Sequence, residues 1–221
     1  RDAKHLWGKS VGEASRLIKA ELGEDFNVAC IGIAGENLVR YAGIFNDVHR
    51  PAGRCGVGTV MGSKRLKAVA ARGTQEIKIA NKDVFSQISK RNRDLDNESL
   101  MKITLETFGT AMVTDLVNVR GGFPTRNWQT GVVPDIDRIS GITLESTLLV
   151  DRKHCYSCPI SCGRVSVVKS GPYACKGEGP EFETIGAFGA MCALENLEAV
   201  TLAHNLCDDY GLDVISTGST I

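Results

Sequence analysis

The stretch LKAVAARGTQEIKIANKDVFSQISKRNRDLD, Leu66–Asp96, carries the change of texture that decides the fold class. Leu66–Gly73 is short, apolar and closed by glycine, the pattern of a buried strand. From Asn81 onward the chain is polar, and Phe85 and Ile88 recur at the spacing of one helical face. Strand-like runs lie upstream of this point and helix-like runs lie downstream. The expectation is therefore an α+β fold, with a boundary at 74–79. Residues 1–79 read as mixed α/β and the chain from Asn81 onward as polar and helical.

Upstream, SVGE (Ser10–Glu13) has capping-box spacing, so the serine hydroxyl and the glutamate carboxylate can satisfy each other's backbone N–H groups. Ala14, Leu17, Ile18 and Leu22 follow at helical spacing, and Gly23 is placed to end the helix in a left-handed conformation. Phe26–Ile33 and Arg40–Phe45 are further strand candidates. Downstream, Leu100 pairs with Ile103 and Leu105 with Phe108, ahead of a helix-ending Gly109. Residues 110–119 suit a third helix. Leu194–Leu206 suits another, with Leu194, Leu197, Val200 and Ala203 on one face. Arg120–Trp128 and the cysteine segment read as loops.

Composition excludes several function classes. The 221 residues carry 26 basic and 26 acidic side chains, so no net charge draws the chain to nucleic acid or to an anionic membrane surface. No apolar run approaches the roughly 20 residues that a membrane helix needs. Neither nucleic acid nor membrane is an expected partner. There are eight cysteines and no secretion signal, and Cys30, Cys192 and Cys207 sit inside apolar patterns where a free thiol packs well. A reducing, cytoplasmic setting is the expectation. The chain opens on Arg1 and closes on STGSTI, and a segment of a longer chain is expected.

CYSCPISCG, Cys155–Gly163, spaces three cysteines as C-x-x-C-x-x-x-C. Thiolates are the ligands of iron–sulfur cores, and the spacing favours that reading; zinc, which usually takes paired C-x-x-C knuckles, remains open. Either site wants four protein ligands, so Cys155, Cys158 and Cys162 leave one to be found elsewhere.

AGRCGVGTVMGSK, Ala52–Lys64, places Gly56, Gly58 and Gly62 one residue off a dinucleotide fingerprint. It reads as lying before a strand instead of after one, so a tight turn competes with a ligand loop. Arg50, Arg54 and Lys64 offer charge for a phosphate. EGPEFET, Glu178–Thr184, is either a solvated acidic loop or the source of a catalytic carboxylate. CDDYGLD, Cys207–Asp213, puts Asp208 and Asp209 at the negative end of a helix capped by Gly211. Local stability does not ask for them there, so a polar ligand or buried donors are expected. His204, one turn earlier, reads as a packed or surface residue.

Taken together, AGRCGVGTVMGSKRLKAVAARG, FPTRNW, CYSCPISCGRV, GEGPEFET and DDYGLDVISTG occur in the order found in the aldehyde ferredoxin oxidoreductase family, the tungsten-pterin enzymes, which this chain resembles from about Ala34 to its end. The resemblance implies a longer subunit, with 1–79 the end of a β-rich N-terminal domain and 80–221 most of a first helical domain. It implies a [4Fe-4S] cluster on Cys155, Cys158 and Cys162, with a fourth cysteine beyond Ile221. It implies a tungsten or molybdenum bis-pterin, one pterin bound through Asp208, Gly211, Leu212 and Asp213. Ala52, Gly53 and Arg54 match the loop near the pterin phosphates, which magnesium would bridge. Cys55 departs from the glycine or threonine usual there. Glu183 matches the carboxylate near the metal, with Glu181 the alternative.

The implied reaction is aldehyde plus water to carboxylic acid, with electrons leaving singly to ferredoxin. The implied partners are ferredoxin, a small aldehyde, the rest of the same chain and a second copy in a homodimer. Hydroxy acids and aromatic thioesters are other substrates of the family. The 221 residues alone are expected to be inactive. The competing class is a non-enzymatic iron–sulfur or zinc module that carries electrons or senses redox state; it needs only the cysteine loop.

Overall fold

A computed structural model describes residues 1–221. Helix α1, Val11–Leu22, starts at the expected capping box: Ser10 Oγ accepts from the Glu13 N–H at 3.2 Å, and the Glu13 carboxylate accepts from the Ser10 N–H at 3.3 Å. Gly23 ends it at φ 122°, ψ 149°. This is an extended positive-φ conformation, not the left-handed turn expected, because the chain runs almost directly into strand β1, Asn27–Cys30. Val11, Ala14 and Ile18 of α1 bury against Leu6, Val28, Cys30 and Phe45.

Strand β1 lies inside an antiparallel sheet of order β3-β2-β1-β4, with β2 Ile44–Asn46, β3 Arg50–Ala52 and β4 Ala68–Ala71. Cys30 opposes Phe45 on one side and Ala68 on the other. The strands are shorter than expected. Ile33 opens a one-turn helix α2, Ile33–Glu36, because the chain must turn at Gly32, where a Cβ would run into the Tyr210 carbonyl. Arg40–Gly43 precede β2 as a loop, with Ala42 bridging to Leu212.

The glycine-rich stretch corrects a further expectation. It follows a strand, β3, and opens helix α3, Val57–Ser63, after a left-handed Gly56. Gly58 and Gly62 face backbone, so that a Cβ on either would overlap the Gly43 or Gly35 carbonyl. The packing face is made of hydrogens, which hydrophobic periodicity does not register. Under it lies a buried ion pair: Lys67 Nζ donates to Glu36 Oε1 and to the Lys9 carbonyl, and Glu36 Oε2 accepts from the Gly8 N–H.

Beyond residues 74–81 come α4, Lys82–Glu98, capped by Asn81, and α5, Leu100–Phe108, closed at Gly109. Neither buries a residue fully. A short 3₁₀ turn, Gly109–Met112, leads into α6, Val113–Val119, and Ser140 caps α7, Gly141–Thr147. A second antiparallel sheet then appears that sequence patterning did not show. Its order is β5-β6-β7, with β5 Leu149–Lys153, β6 Gly163–Val168 and β7 Cys175–Glu178. A helical run follows: α8, Phe182–Thr184, continues as a π-helical stretch, Ile185–Met191.

Helix α9, Leu197–Tyr210, starts three residues later than expected because the Asn196 side chain caps it at Ala199 N. Gly211, left-handed at φ 80°, ends it, and Asp213 caps α10, Val214–Thr220. Phe123, Ile139, Leu144, Ile185 and Val200 form the centre of this part's core; each contributes about 1.5–3 kcal/mol through burial. The fold is α+β. No helix is long and apolar enough to cross a membrane.

Candidate functional site

The cysteine segment is the connection between β5 and β6. Lys153 pairs with Gly163 at its mouth, and left-handed Ser157 and Ser161 fold residues 154–162 into a compact loop. Cys155 is exposed, while Cys158 and Cys162 are half-buried. Burial pushes the Cys162 thiol up, and Glu181, Cys155 and Cys158 add to the effect. All eight cysteines are free thiols. No three His, Cys, Asp or Glu side chains converge as a single metal ion would require. The thiolates of an iron–sulfur core bind different iron atoms around its corners, and a loop spreading three cysteines along its length offers that donor set.

Arg164, the first residue after the loop's closing Gly163, is 1% exposed. Its Nε donates to Cys162 O at 3.1 Å and its Nη2 to Ser161 O at 2.7 Å. Its Nη1 donates to Thr107 O, at the end of α5, at 2.7 Å. A glycine is required at 163, since a Cβ there would overlap the Glu178 carboxylate and sit 2.9 Å from Lys153 O.

Consecutive residues where the β2–β3 turn enters β3 reach across to both halves of the site. Arg50 pairs with Glu178 on β7. Burial works against the Arg50 charge, but its bond and ion pair with Glu178, with Cys155 adding, hold the guanidinium above its ordinary value. That commitment removes Arg50 from the phosphate role expected of it. His49 Nδ1 lies 2.8 Å from Asp208 Oδ2. Asp208 is 4% exposed and also stands 3.6 Å from His204 Nε2, whose Nδ1 bonds Thr184 Oγ1 at 2.7 Å. His204 is thus a buried, bonded residue; Asp208 is bonded by the partly exposed His49, while Asp209 is exposed and meets no buried donor.

The remaining motif residues converge on the same region. Leu212 bridges Ala42, Gly43 N–H donates to Gly211 O at 3.0 Å, and Asp213 N–H donates to Tyr41 O at 3.1 Å. Gly53 packs so closely that a Cβ would lie 3.1 Å from Asp213 Oδ1. Ala52–Gly53–Arg54 and Asp208–Asp213 are therefore neighbours, with Ala52 and Arg54 exposed. Asp213 is buried and caps α10 through Ser216 N–H at 2.8 Å. The two candidate carboxylates differ. Glu181 accepts from the Thr110 hydroxyl, which in turn accepts from Phe182 N–H at 2.9 Å. Glu183 is exposed and carries no hydrogen bond or ion pair, and is free for a ligand or a proton.

His49, Thr110, Arg164 and Thr184 were not found from sequence. Only the dipeptide His49–Arg50 beside Ala52–Arg54, and Arg164 directly after the cysteines, hinted at them.

Residues 1–73 match the family model "Aldehyde ferredoxin oxidoreductase, N-terminal domain", and residues 87–221 match "Aldehyde ferredoxin oxidoreductase, domains 2 & 3". The chain belongs to the aldehyde ferredoxin oxidoreductase family. Tungsten-containing aldehyde ferredoxin oxidoreductases of Thermococcus kodakarensis and Pyrococcus furiosus are each 44% identical to it over 223 residues, across the whole chain and 36% of each relative. The WOR-like subunit of an aliphatic sulfonate oxidoreductase of Pyrococcus furiosus is 30% identical over 240 residues, again across the whole chain and 38% of that protein. Among solved structures, the active-site complex BamBC of benzoyl coenzyme A reductase, with bound 1,5-dienoyl-CoA, superposes with a TM-score of 0.75 at 28% identity, over 97% of this chain and 34% of that one. The chain thus spans 36% of the length of the curated relatives it matches first.

Proposed function

We propose that these residues belong to an aldehyde:ferredoxin oxidoreductase that uses a tungsten (or molybdenum) bis-pterin and a [4Fe-4S] cluster. The observation that carries this reading is the meeting of two motifs through His49 and Arg50: His49 bonds Asp208, and Arg50 pairs with Glu178 on β7, the strand beside β6, which closes the cysteine loop. Residues 1–79 act as the end of a pterin-binding β-rich domain and 80–221 as most of a helical domain, in a longer subunit that also supplies the fourth cysteine ligand. Cys30 and Cys207 lie in the two cores and are not candidates for it.

Bound here, the pterin-held metal supplies two-electron acceptance and Lewis acidity, and the cluster supplies one-electron storage. The protein's part is to hold and to move protons. Asp208, fixed by His49, and Asp213, fixed by the start of α10, present carboxylate oxygens to the N–H groups of a pterin. Gly53 lets backbone approach beside Asp213, with Arg54 near the phosphates and their magnesium. Glu183 takes the proton from water or the hydrated aldehyde, whereas Glu181 is held by Thr110 and positions the turn. Cys155, at the surface, marks the side facing ferredoxin. A homodimer of the subunit is part of the same reading.

The test is Glu183→Gln in the holoprotein, with metals measured alongside turnover. Loss of about a hundredfold or more in kcat with tungsten and iron retained supports the base assignment; unchanged turnover refutes it. The module reading leaves Asp208–Asp213 and Glu183 without a role, and zinc as the sole metal in purified protein would establish it instead.

A further inference from the structure

Arg164 is the one fully buried guanidinium in the molecule, and none of its acceptors is an anion. Three of its five N–H groups reach main-chain carbonyls, at Cys162, Ser161 and Thr107. No ion pair includes it. Burial lowers its affinity for its proton, with Arg152 adding, while Glu181, Cys162 and Glu106 oppose at longer range. Arg50, by contrast, is paired with Glu178 and so largely compensated. A buried charge without a partner is costly. The C-terminal carbonyl end of α5 offsets part of that cost, since it is the negative pole of the helix. The fold also spends a positive-φ residue on the arrangement: at Gly109, φ 62°, a Cβ would lie 3.1 Å from Arg164 Nε and 2.9 Å from Cys162 O.

We propose that Arg164 is a positioning and counter-charge residue for the cysteine loop: its guanidinium locks the Ser161–Cys162 backbone and raises the reduction potential of the cluster bound there. The inference rests on the reading of the loop as an iron–sulfur site. A core ligated by thiolates is anionic, and reduction adds one more negative charge. A fixed cation therefore stabilises the reduced form more than the oxidised form, and net charge and hydrogen bonding are the protein's levers on such potentials.

The experiment is an EPR-monitored redox titration of the holoprotein, with iron content and iron loss to a chelator, for the parent protein, Arg164→Gln and Arg164→Lys. Glutamine removes the charge. The reduced-to-oxidised ratio at a fixed poise should fall about tenfold or more, a downward shift of about 59 mV. Lysine restores the charge without the planar fork. Its ratio should stay within about twofold of the parent, while chelator strips iron several times faster. A glutamine variant within about twofold of the parent overturns the counter-charge. A lysine variant that loses iron at the parent's rate overturns the positioning role. If glutamine retains no iron, the lysine variant decides: retained signal with faster loss supports the proposal, and parental loss overturns it. A parent protein without a four-iron signal instead refutes the cluster reading, which keeps the two failures apart.

Discussion

Replacing Lys67 with methionine should destabilise the first sheet far more than a surface lysine would. The side chains of Lys67 and Glu36 are 1% and 4% exposed. Methionine is close in length and fills the space, so the packing change is small. What remains is the Glu36 carboxylate, buried, with only the Gly8 N–H at 2.8 Å as a partner. Removing one member of a buried pair costs about 3–5 kcal/mol, because the other charge is left uncompensated. For a chain of this size that is a drop of about 6–20 °C in Tm. The effect should be local as well. Ile31 N–H donates to Lys67 O at 3.0 Å, joining the two segments that the pair holds together, so amide exchange at Ile31 and along β1 should speed up before that of α9. Glu36→Leu combined with Lys67→Met should recover at least half the loss, since an apolar pair of similar volume removes the charge altogether. Denaturant melts and hydrogen exchange on the parent, single and double variants would decide the matter. A single variant within about 1 kcal/mol of the parent, or a double variant no better than the single, would refute the reasoning.

Three further outcomes are expected. Gly62→Ala should cost about 3 kcal/mol or more, because its Cβ would overlap the Gly35 carbonyl where α3 meets α2; a thermal melt within error of the parent contradicts the close approach. Ser10→Ala should cost about 1 kcal/mol and fray the first turn of α1, seen as faster exchange at Glu13 N–H. Burial pushes the thiols of Cys30 and Cys207 from 9.0 up to about 11. The unfolded chain releases these protons first, so their effect is absent below pH 9.0, and stability then falls by about 1.4 kcal/mol per pH unit per thiol until about 11. Cys207→Ala should flatten that slope in denaturant melts at a series of pH values; an identical slope argues against a buried neutral thiol.

How far the fold could be read from sequence depended on how local its signals are. Helix α1 announced itself through its capping box, apolar spacing and a terminal glycine, and α4 through apolar spacing, all within one stretch of chain. The second sheet did not. Strand β5 is exposed along most of its length and has no apolar run. Strand β6 buries Arg164 and Ser166 beside its valines, so neither alternation nor a continuous hydrophobic block is visible. Helix α3 was missed for a related reason: the residues it packs with are glycines, and the contact is backbone against backbone.

The site shows the same division more sharply. Cysteines at C-x-x-C-x-x-x-C, the Glu181–Glu183 pair and the aspartates of CDDYGLD are recognisable because each motif is contiguous. Their partners are not contiguous. His49 meets Asp208 across 159 positions, and Thr107 meets Arg164 across 57. No spacing rule connects such pairs, yet they set the charges. Arg50 illustrates the consequence. As sequence it is one of three cations near a glycine-rich loop, and a phosphate is a reasonable ligand. In the fold it is committed to Glu178, and Arg54 is left as the exposed cation beside Ala52 and Gly53. Arg164 moves the opposite way, from one letter of CYSCPISCGRV to a buried charge held by three main-chain carbonyls and by no carboxylate. A motif can name the ligands of such a centre. Which cations are committed to carboxylates or carbonyls, and which stay exposed, follows only from the sheet and helix ends that bring distant carbonyls and carboxylates to them.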